Sequence, residues 1–312
     1  MTSQETAVAR PAERARVEPQ VAAALKKPST LLSDLGAQLF LIIMSLIVLF
    51  PVAWIVAIAL DPRDITRPDS LLPPGASLNA FQRVLTEPLA NNVQAWQALV
   101  NSLLVAGGTS LLAAIVGATA GYAFSRFRFP GRQAGMLGFI VTQMMPAGAT
   151  LAPLFVLLSL VNIGDFNLRR SLIGLSVAYA SSALPFVIWN LKGYFDTIPK
   201  DLEEAALIDG AGPMQAFLRV IMPLSLPAFA VTILFSFMSG WSEYLIAWTF
   251  LSDPDKFTLP MLLAGMVGQY SSETRWSDFA ALSIVMSVPI LVLFFLLQKW
   301  IVSGLTLGGV KG

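Results

Sequence analysis

From residue 35 onward the chain alternates long apolar stretches with short polar connections. The first stretch, Leu35 to Leu60, carries no charged residue. About 20 consecutive apolar residues suffice to cross a bilayer, so it predicts a membrane-spanning helix, with Pro51 a candidate kink. The same test predicts five further spans, at roughly 98–124, 135–161, 171–192, 225–250 and 279–298. The third and fifth predicted spans exceed the minimum, so tilt or a break is expected in each. Pro146 and Gly148 mark the expected break in one, and Gly240 that in the other.

Residues 1–34 show no sustained apolar period and are rich in Ala, Arg, Glu and Pro. They are expected to form a disordered tail. A cleaved signal peptide fits poorly, because the apolar run that follows is too long for a signal core. The outer connections, 61–97, 162–170 and 252–278, are each too short for a separate domain, and no internal repeat is evident. A transporter made of inverted repeats within one chain is therefore not supported.

Basic residues orient the chain. One side holds Arg10, Arg14, Arg16, Lys26 and Lys27 in the tail, Arg126, Arg128 and Arg132 after the second span, Lys192, Lys200 and Arg219 after the fourth, and Lys299 and Lys311 at the end. The other side holds Arg63, Arg67, Arg83, Arg169, Arg170, Lys256 and Arg275. Positive charge favours the cytoplasmic side, so both termini are expected there.

Composition agrees with the pattern and narrows the chemistry. Of the 312 residues, 55% are hydrophobic and 12% charged, against about 25% charged in an average soluble domain. A net charge of +1 gives no reason to expect nucleic acid as a partner. Neither cysteine nor histidine is present, which removes disulfides, thiol catalysis, the usual zinc sites and the commonest general base.

One stretch breaks the apolar pattern on the cytoplasmic side: "EEAALIDGAGPMQAFLRVIMP", residues 203–223. Asp201 is placed to cap a helix start, with Glu204 three residues on. That helix should run to about Ile208, with Gly210 just past its end in the left-handed region. Gly212 and Pro213 restart the chain. Met214, Phe217, Leu218 and Ile221 then fall on one helical face, and Pro223 should end the element. Ala205 and Ala206 are small enough for another surface to approach closely. Helices this short are unstable alone in water, so packing must hold them.

The spacing Glu204-Ala205-Ala206, three residues, Gly210, nine residues, Val220-Ile221-Met222-Pro223 resembles the EAA signature of binding-protein-dependent ABC importer permeases. The family form ends Ile-x-Leu-Pro, so Val220 and Met222 depart from it by apolar exchanges. "YAFSRFRFPG" (122–131), "KGYFDTIPKDLEEAALIDGA" (192–211), "WSDFAALSIVMSVPI" (276–290) and "QKWIVSGLTLGGVKG" (298–312) extend the likeness to the MalG-type subunit of maltose and related disaccharide importers. The likeness covers most of the chain from about residue 35 and leaves the first 34 residues unaccounted for.

The resemblance implies an all-α membrane protein with six transmembrane helices, the type I ABC importer permease fold and cytoplasmic termini. The implied organisation is a tail (1–34), a first span with its outer connection (35–96), a core permease domain (97–299) carrying a coupling helix at about 201–222, and a C-terminal tail (300–312). Glu204, Ala205, Ala206, Asp209, Gly210 and Pro223 would couple to an ATPase, and Gly308, Gly309, Val310, Lys311 and Gly312 would reach between the ATPase subunits. Implied partners are a second permease of MalF type, two ABC ATPase subunits, an extracytoplasmic sugar-binding protein and the bilayer of a bacterial inner membrane. This chain would bind no cofactor itself. It contains no phosphate-binding glycine loop with Lys and Ser/Thr, so ATP and Mg belong to the partners.

Glu243 is the one carboxylate within a predicted span, and such groups usually face a protein interior or an aqueous cavity. It is a candidate for the solute path, together with Gln143; the competing expectation places Glu243 near the outer headgroups. Asn190 is a weaker candidate. Trp241, Tyr244 and Trp248 fit interface anchoring better than sugar stacking. An intramembrane enzyme built on Glu243 would need a second embedded acid or nucleophile, and none is evident. An autonomous channel or secondary carrier is the remaining competitor.

Overall fold

The computed structural model describes residues 31–267 and 274–309. The chain divides into two compact units, one ending at Trp54 and the other beginning at Ile55. In the first, the described part is the start of helix α1 (Leu31–Leu60), whose apolar side chains from Leu35 to Val52 are exposed. A helix apolar on all sides suits surroundings that are themselves apolar. Pro51 lies inside α1 without ending it.

The second unit is helical apart from a two-stranded hairpin, Asn162–Ile163 against Phe166–Asn167. Its elements are α2 (Asn79–Thr86), α3 (Ala95–Arg126), α4 (Arg132–Gln143), α5 (Ala147–Ser159), α6 (Leu172–Phe195), α7 (Asp201–Ile208), α8 (from Pro213, through a π-helical turn at Phe217–Ile221, to Leu224), α9 (Leu226–Ser242), α10 (Leu245–Phe250), α11 (Leu259–Gly265) and α12 (Trp276–Gly309). Among the described residues four helices are long and apolar enough to cross a membrane, and up to six spans result if each bent pair counts as one.

One of those bent pairs lies at a break expected from sequence, and the other does not. Arg132–Gln143 and Gly148–Ser159 meet at 109° across the Pro146 region, as anticipated. The second pair, Pro213–Leu224 and Leu226–Ser242, meets at 78°. Its hinge is the buried Ser225, not Pro223, which lies inside α8. Pro223 lies in the last turn of α8, directly after the π-helical turn, and the Ser225 hydroxyl donates to the Ile221 carbonyl at 2.7 Å. Gly240 is not a break either. It sits within α9, where an added Cβ would lie 3.0 Å from Thr109 Oγ1 and 3.2 Å from Ala106 Cα. That glycine permits close helix approach. The chain opens instead at Glu243, which adopts an extended conformation after α9.

The core centres on α3, which packs along α6 and α9. Its buried face is built from small residues, among them Ala98, Ser102, Ala106, Ser110, Ala113, Gly117 and Gly121, spaced three or four apart. Association within a bilayer lacks the hydrophobic drive available in water, so close backbone approach and dispersion must supply the attraction. At Gly117 a Cβ would fall 2.2 Å from Val187 Cγ1, and at Gly121 it would fall 3.2 Å from the Lys192 backbone nitrogen. Polar groups are matched across the same seam, with Ser176 Oγ donating to the Val105 carbonyl at 3.2 Å and Asn190 Nδ2 donating to Thr232 Oγ1 at 3.1 Å. Asn190 thus joins α6 to α9.

At the opposite end from the α3–α4 connection, Arg83 of α2 grips Asp278 of α12 through Nε at 3.0 Å and Nη2 at 2.5 Å. Asp64 accepts from the Ser277 backbone nitrogen and hydroxyl at 2.8 and 2.9 Å. These contacts tie the 61–97 connection to the start of the last span.

Candidate coupling site

The polar insert forms two helices set by local chemistry. α7 begins after Lys200, so Asp201 lies inside the helix and does not cap it, contrary to expectation. Asp201, Glu203 and Glu204 all occupy the first turn, where carboxylates complement the positive end of the helix dipole. At the other end the Gly210 nitrogen donates to the Leu207 carbonyl at 3.1 Å, and the Ala211 nitrogen to the Ala206 carbonyl at 3.0 Å. This pair of bonds is a Schellman motif, which needs a left-handed residue just past the helix end. Gly210 has φ +87°. Gly212 then precedes Pro213, and its nitrogen donates to Gln215 Oε1 at 3.1 Å.

Only part of the apolar face expected in α8 is buried. Ala216, Phe217 and Ile221 point into the protein, whereas Met214 and Leu218 are exposed. Leu218 falls within the π-helical turn and Met214 just before it. Wider winding from Phe217 to Ile221 carries side chains away from the spacing of an ordinary helix. Phe217 packs against Tyr122 of α3, ring centroids 4.5 Å apart, and against Phe195 of α6 at 6.3 Å. Motion of the insert therefore bears directly on two long helices.

The strongest link went unrecognised in the sequence. Glu203 forms an ion pair with Arg126 at the end of α3, and both side chains are largely buried, at 12% and 7% exposed. Tyr122 Oη donates to the same carboxylate at 2.9 Å, and Arg126 Nη2 donates to the Ile198 carbonyl at 3.0 Å. Beside this group, Asp196 accepts from Ser125 Oγ at 2.7 Å and pairs with Lys192 at 2.6 Å. Burial raises the Asp196 carboxyl, but hydrogen bonds from Lys192 and Ser125 outweigh it and hold the group below the usual carboxylate range.

The residues singled out from sequence divide accordingly. Glu204, Ala205, Asp209 and Gly210 are exposed, Ala206 is half-buried, and together they form the outward side of α7 and its turn. Leu202, Leu207, Ile208, Met214 and Leu218 add an exposed apolar fringe. The adjacent glutamates divide the work: Glu203 is anchored inward, and Glu204 is left facing out. Neighbouring helical positions lie about 100° apart, so the two could not share a face. Gly308 and Gly309 are the last residues of α12, while Val310, Lys311 and Gly312 lie outside the described residues, as do residues 1–30 of the expected tail.

Glu243 and Gln143 are not brought together. Glu243 Oε1 accepts from the Leu245 and Ile246 nitrogens at 2.9 and 3.1 Å, so the carboxylate caps the start of α10. Its own carbonyl accepts from Tyr179 Oη at 3.2 Å. Gln143 ends α4 and lines an open groove of about 410 Å³ with Phe139, Ile140, Pro185, Phe186 and Trp189. Trp241 is fully buried, stacked on Phe237 with its indole nitrogen donating to the Met286 carbonyl at 3.1 Å, and is unavailable to a sugar ring. Tyr244 and Trp248 are about half exposed.

Comparison with known proteins bears on the whole chain. Residues 110–307 match the family described as "Binding-protein-dependent transport system inner membrane component". The maltodextrin transport system permease protein MdxG of Bacillus subtilis (strain 168) is 33% identical over 282 residues, covering 90% of this chain and 98% of that protein. The maltose/maltodextrin transport system permease protein MalG of Escherichia coli (strain K12) is 35% identical over 292 residues, covering 88% and 95%. A chain in the crystal structure of a bacterial ABC transporter involved in the import of the acidic polysaccharide alginate shares the fold, with TM-score 0.70, 23% identity and coverage of 88% of this chain and 98% of that one. The matched segment contains the second half of α3, with Tyr122 and Arg126, all of α6 to α9 and all but the last two residues of α12, so both halves of the insert and the side chains that grip it fall inside the shared region. This chain therefore belongs to the family of inner membrane components of binding-protein-dependent transport systems.

Proposed function

We propose that the chain is the MalG-type permease subunit of an ATP-driven importer that passes maltose, a related disaccharide or maltodextrin into the cytoplasm. The observation that carries this reading is the insert itself. A Schellman turn at Gly210 presents small and acidic residues outward, while Glu203 and Phe217 lock the same element onto α3 and α6. A surface shaped in this way can receive a push and deliver it to the spans. Relatives named for maltose and maltodextrin transport, at 33% and 35% identity, support the substrate class.

In this reading six helices span a bacterial inner membrane with both termini in the cytoplasm, and the chain assembles with a MalF-type permease, two ABC ATPase subunits and an extracytoplasmic sugar-binding protein. ATP and Mg are held by the ATPase subunits. The coupling contact is made by Glu204, Ala205, Ala206, Asp209 and Gly210, and the C-terminal residues from Gly308 to Gly312 reach the ATPase dimer. Neighbouring complexes of the same fold lend weight to the outer partner: one solved relative is an alginate ABC transporter in complex with alginate pentasaccharide-bound periplasmic protein, TM-score 0.57. The test is uptake of labelled maltose and maltotriose by the assembled complex in proteoliposomes with ATP inside. Uptake that requires ATP and the binding protein supports the assignment; ATP-independent flux through this chain alone would replace it with a channel or carrier.

A further inference from the structure

A basic cavity of about 450 Å³ opens beside the anchored end of the insert, where α3 ends, α4 begins and the 196–200 connection passes. Its charges are unequally satisfied. Arg126 is consumed by Glu203, and the Asp196 carboxylate in the cavity wall is taken by Lys192 and Ser125. Arg132 donates through Nε at 2.7 Å and Nη2 at 3.4 Å, but only to the neutral carbonyls of Phe124 and Ser125. Among the described residues no carboxylate lies within ion-pair distance of Arg128, Arg132 or Lys200. Three cations therefore face one opening whose wall holds a single carboxylate, Asp196, already engaged by Lys192 and Ser125 and sensed by Arg132 only through space.

Arg132 also belongs to the wall of a second groove, of about 610 Å³, which it shares with Lys192, Met136, Leu137 and Trp189. That groove follows α4 and α6 toward the apolar part of the spans, and Trp189 and Leu137 are exposed along it. The combination is amphipathic in the sense of a phospholipid: an anion site at the level where the spans end, then an aromatic of the interfacial type, then an apolar wall. We propose that these two cavities form one site for an anionic phospholipid, its phosphodiester headgroup held by Arg128, Arg132 and Lys200 and an acyl chain lying along Met136, Leu137 and Trp189. A free phosphate would satisfy the cations alone and would leave the apolar groove without a role. Because Lys200 immediately precedes α7 and Arg126 grips it, an occupied site would brace the base of the insert.

The test uses the full chain, alone and in its assembled complex, in nanodiscs of phosphatidylcholine containing phosphatidylglycerol, with a photoactivatable phosphatidylglycerol as probe. Arg128→Gln combined with Lys200→Gln removes two cations that no described side chain needs, and Arg170→Gln, at the far end of the bilayer, serves as control. Phosphatidylglycerol labelling of the α4–α6 groove should fall roughly 10- to 30-fold in the double variant, the weight of two near-surface cations, and remain unchanged in the control. Inorganic phosphate added to the buffer should not compete. Equal labelling of the double variant and the native chain would overturn the site. Displacement of the probe by inorganic phosphate would reassign it to a soluble anion. Full labelling of the double variant with loss of ATPase-subunit copurification would make the patch a protein contact instead. Both leaflets of a nanodisc carry the same lipids, so the result is independent of which end of the chain faces the cytoplasm.

Discussion

Arg126, the last residue of α3, and Glu203, in the first turn of α7, form a buried ion pair across 77 positions of sequence. Tyr122 and the Ile198 carbonyl complete its hydrogen bonding. A buried pair does not by itself stabilise greatly, but removing one member strands the other without water. Glu203→Ala and Arg126→Ala are each expected to destabilise the chain by about 3–5 kcal/mol. The double variant should lose less than the sum of the two, and thermal unfolding of the purified protein in detergent measures the difference. Strict additivity would mean that the two side chains do not interact.

The approach of α3 to α6 depends on glycine at position 117. A methyl group there would overlap Val187 Cγ1, and overpacking of this kind costs about 1–3 kcal/mol. Gly117→Ala is therefore expected to lower thermal stability, and Val187→Ala in the same chain should restore part of the loss. At Gly121 the nearest atoms include the Lys192 backbone nitrogen and the Ile188 carbonyl oxygen. Main-chain atoms cannot be trimmed, so no single side-chain substitution should rescue Gly121→Ala. Melting curves of these three variants, with side-chain trims around Gly121→Ala, test both statements together.

Glu243 caps α10 through two backbone nitrogens. Its amide analogue keeps an acceptor oxygen, whereas alanine keeps none. Glu243→Ala should cost about 1 kcal/mol, in the range of a lost helix cap, while Glu243→Gln should retain most stability and leave the KM for sugar uptake unchanged. A large rise in KM for Glu243→Gln, with normal amounts of protein in the membrane, would return this carboxylate to the solute path.

What could be read from the sequence alone follows the range of the forces involved. The long apolar helices were legible because each depends on local hydropathy, and the Gly210 turn was legible because a Schellman end uses only residues 206–211. The pairing of Glu203 with Arg126 was not, since nothing local distinguishes Glu203 from Glu204. A cue existed in the basic "SRFR" at 125–128 facing the only acidic pair on the same side, but choosing the partner needs the packing of α3 against the insert. The hinge at Ser225 and the outward turn of Met214 and Leu218 escaped for a related reason. Both flank or fall in a π-helical turn at Phe217–Ile221, and no local pattern in these residues announces that winding. The capping contact of Glu243 was not legible because hydropathy reads 225–250 as continuous, whereas the chain interrupts it there and the carboxylate accepts from the free nitrogens of the next helix.

In the proposed function the turn after α7, built on Gly210, transmits ATP-driven motion to the spans. The Gly210 φ of +87° is in the left-handed region, and an added Cβ would meet nothing within 4 Å. Substitution there acts through backbone conformation alone, at about 1–3 kcal/mol for a strained residue, with asparagine the least affected replacement. The most direct measurement is the ratio of sugar imported to ATP hydrolysed by the reconstituted complex carrying Gly210→Val, with Gly210→Asn alongside. The valine variant is expected to assemble and hydrolyse ATP but import little sugar, with the asparagine variant in between; a native ratio in the valine variant would contradict coupling through this turn.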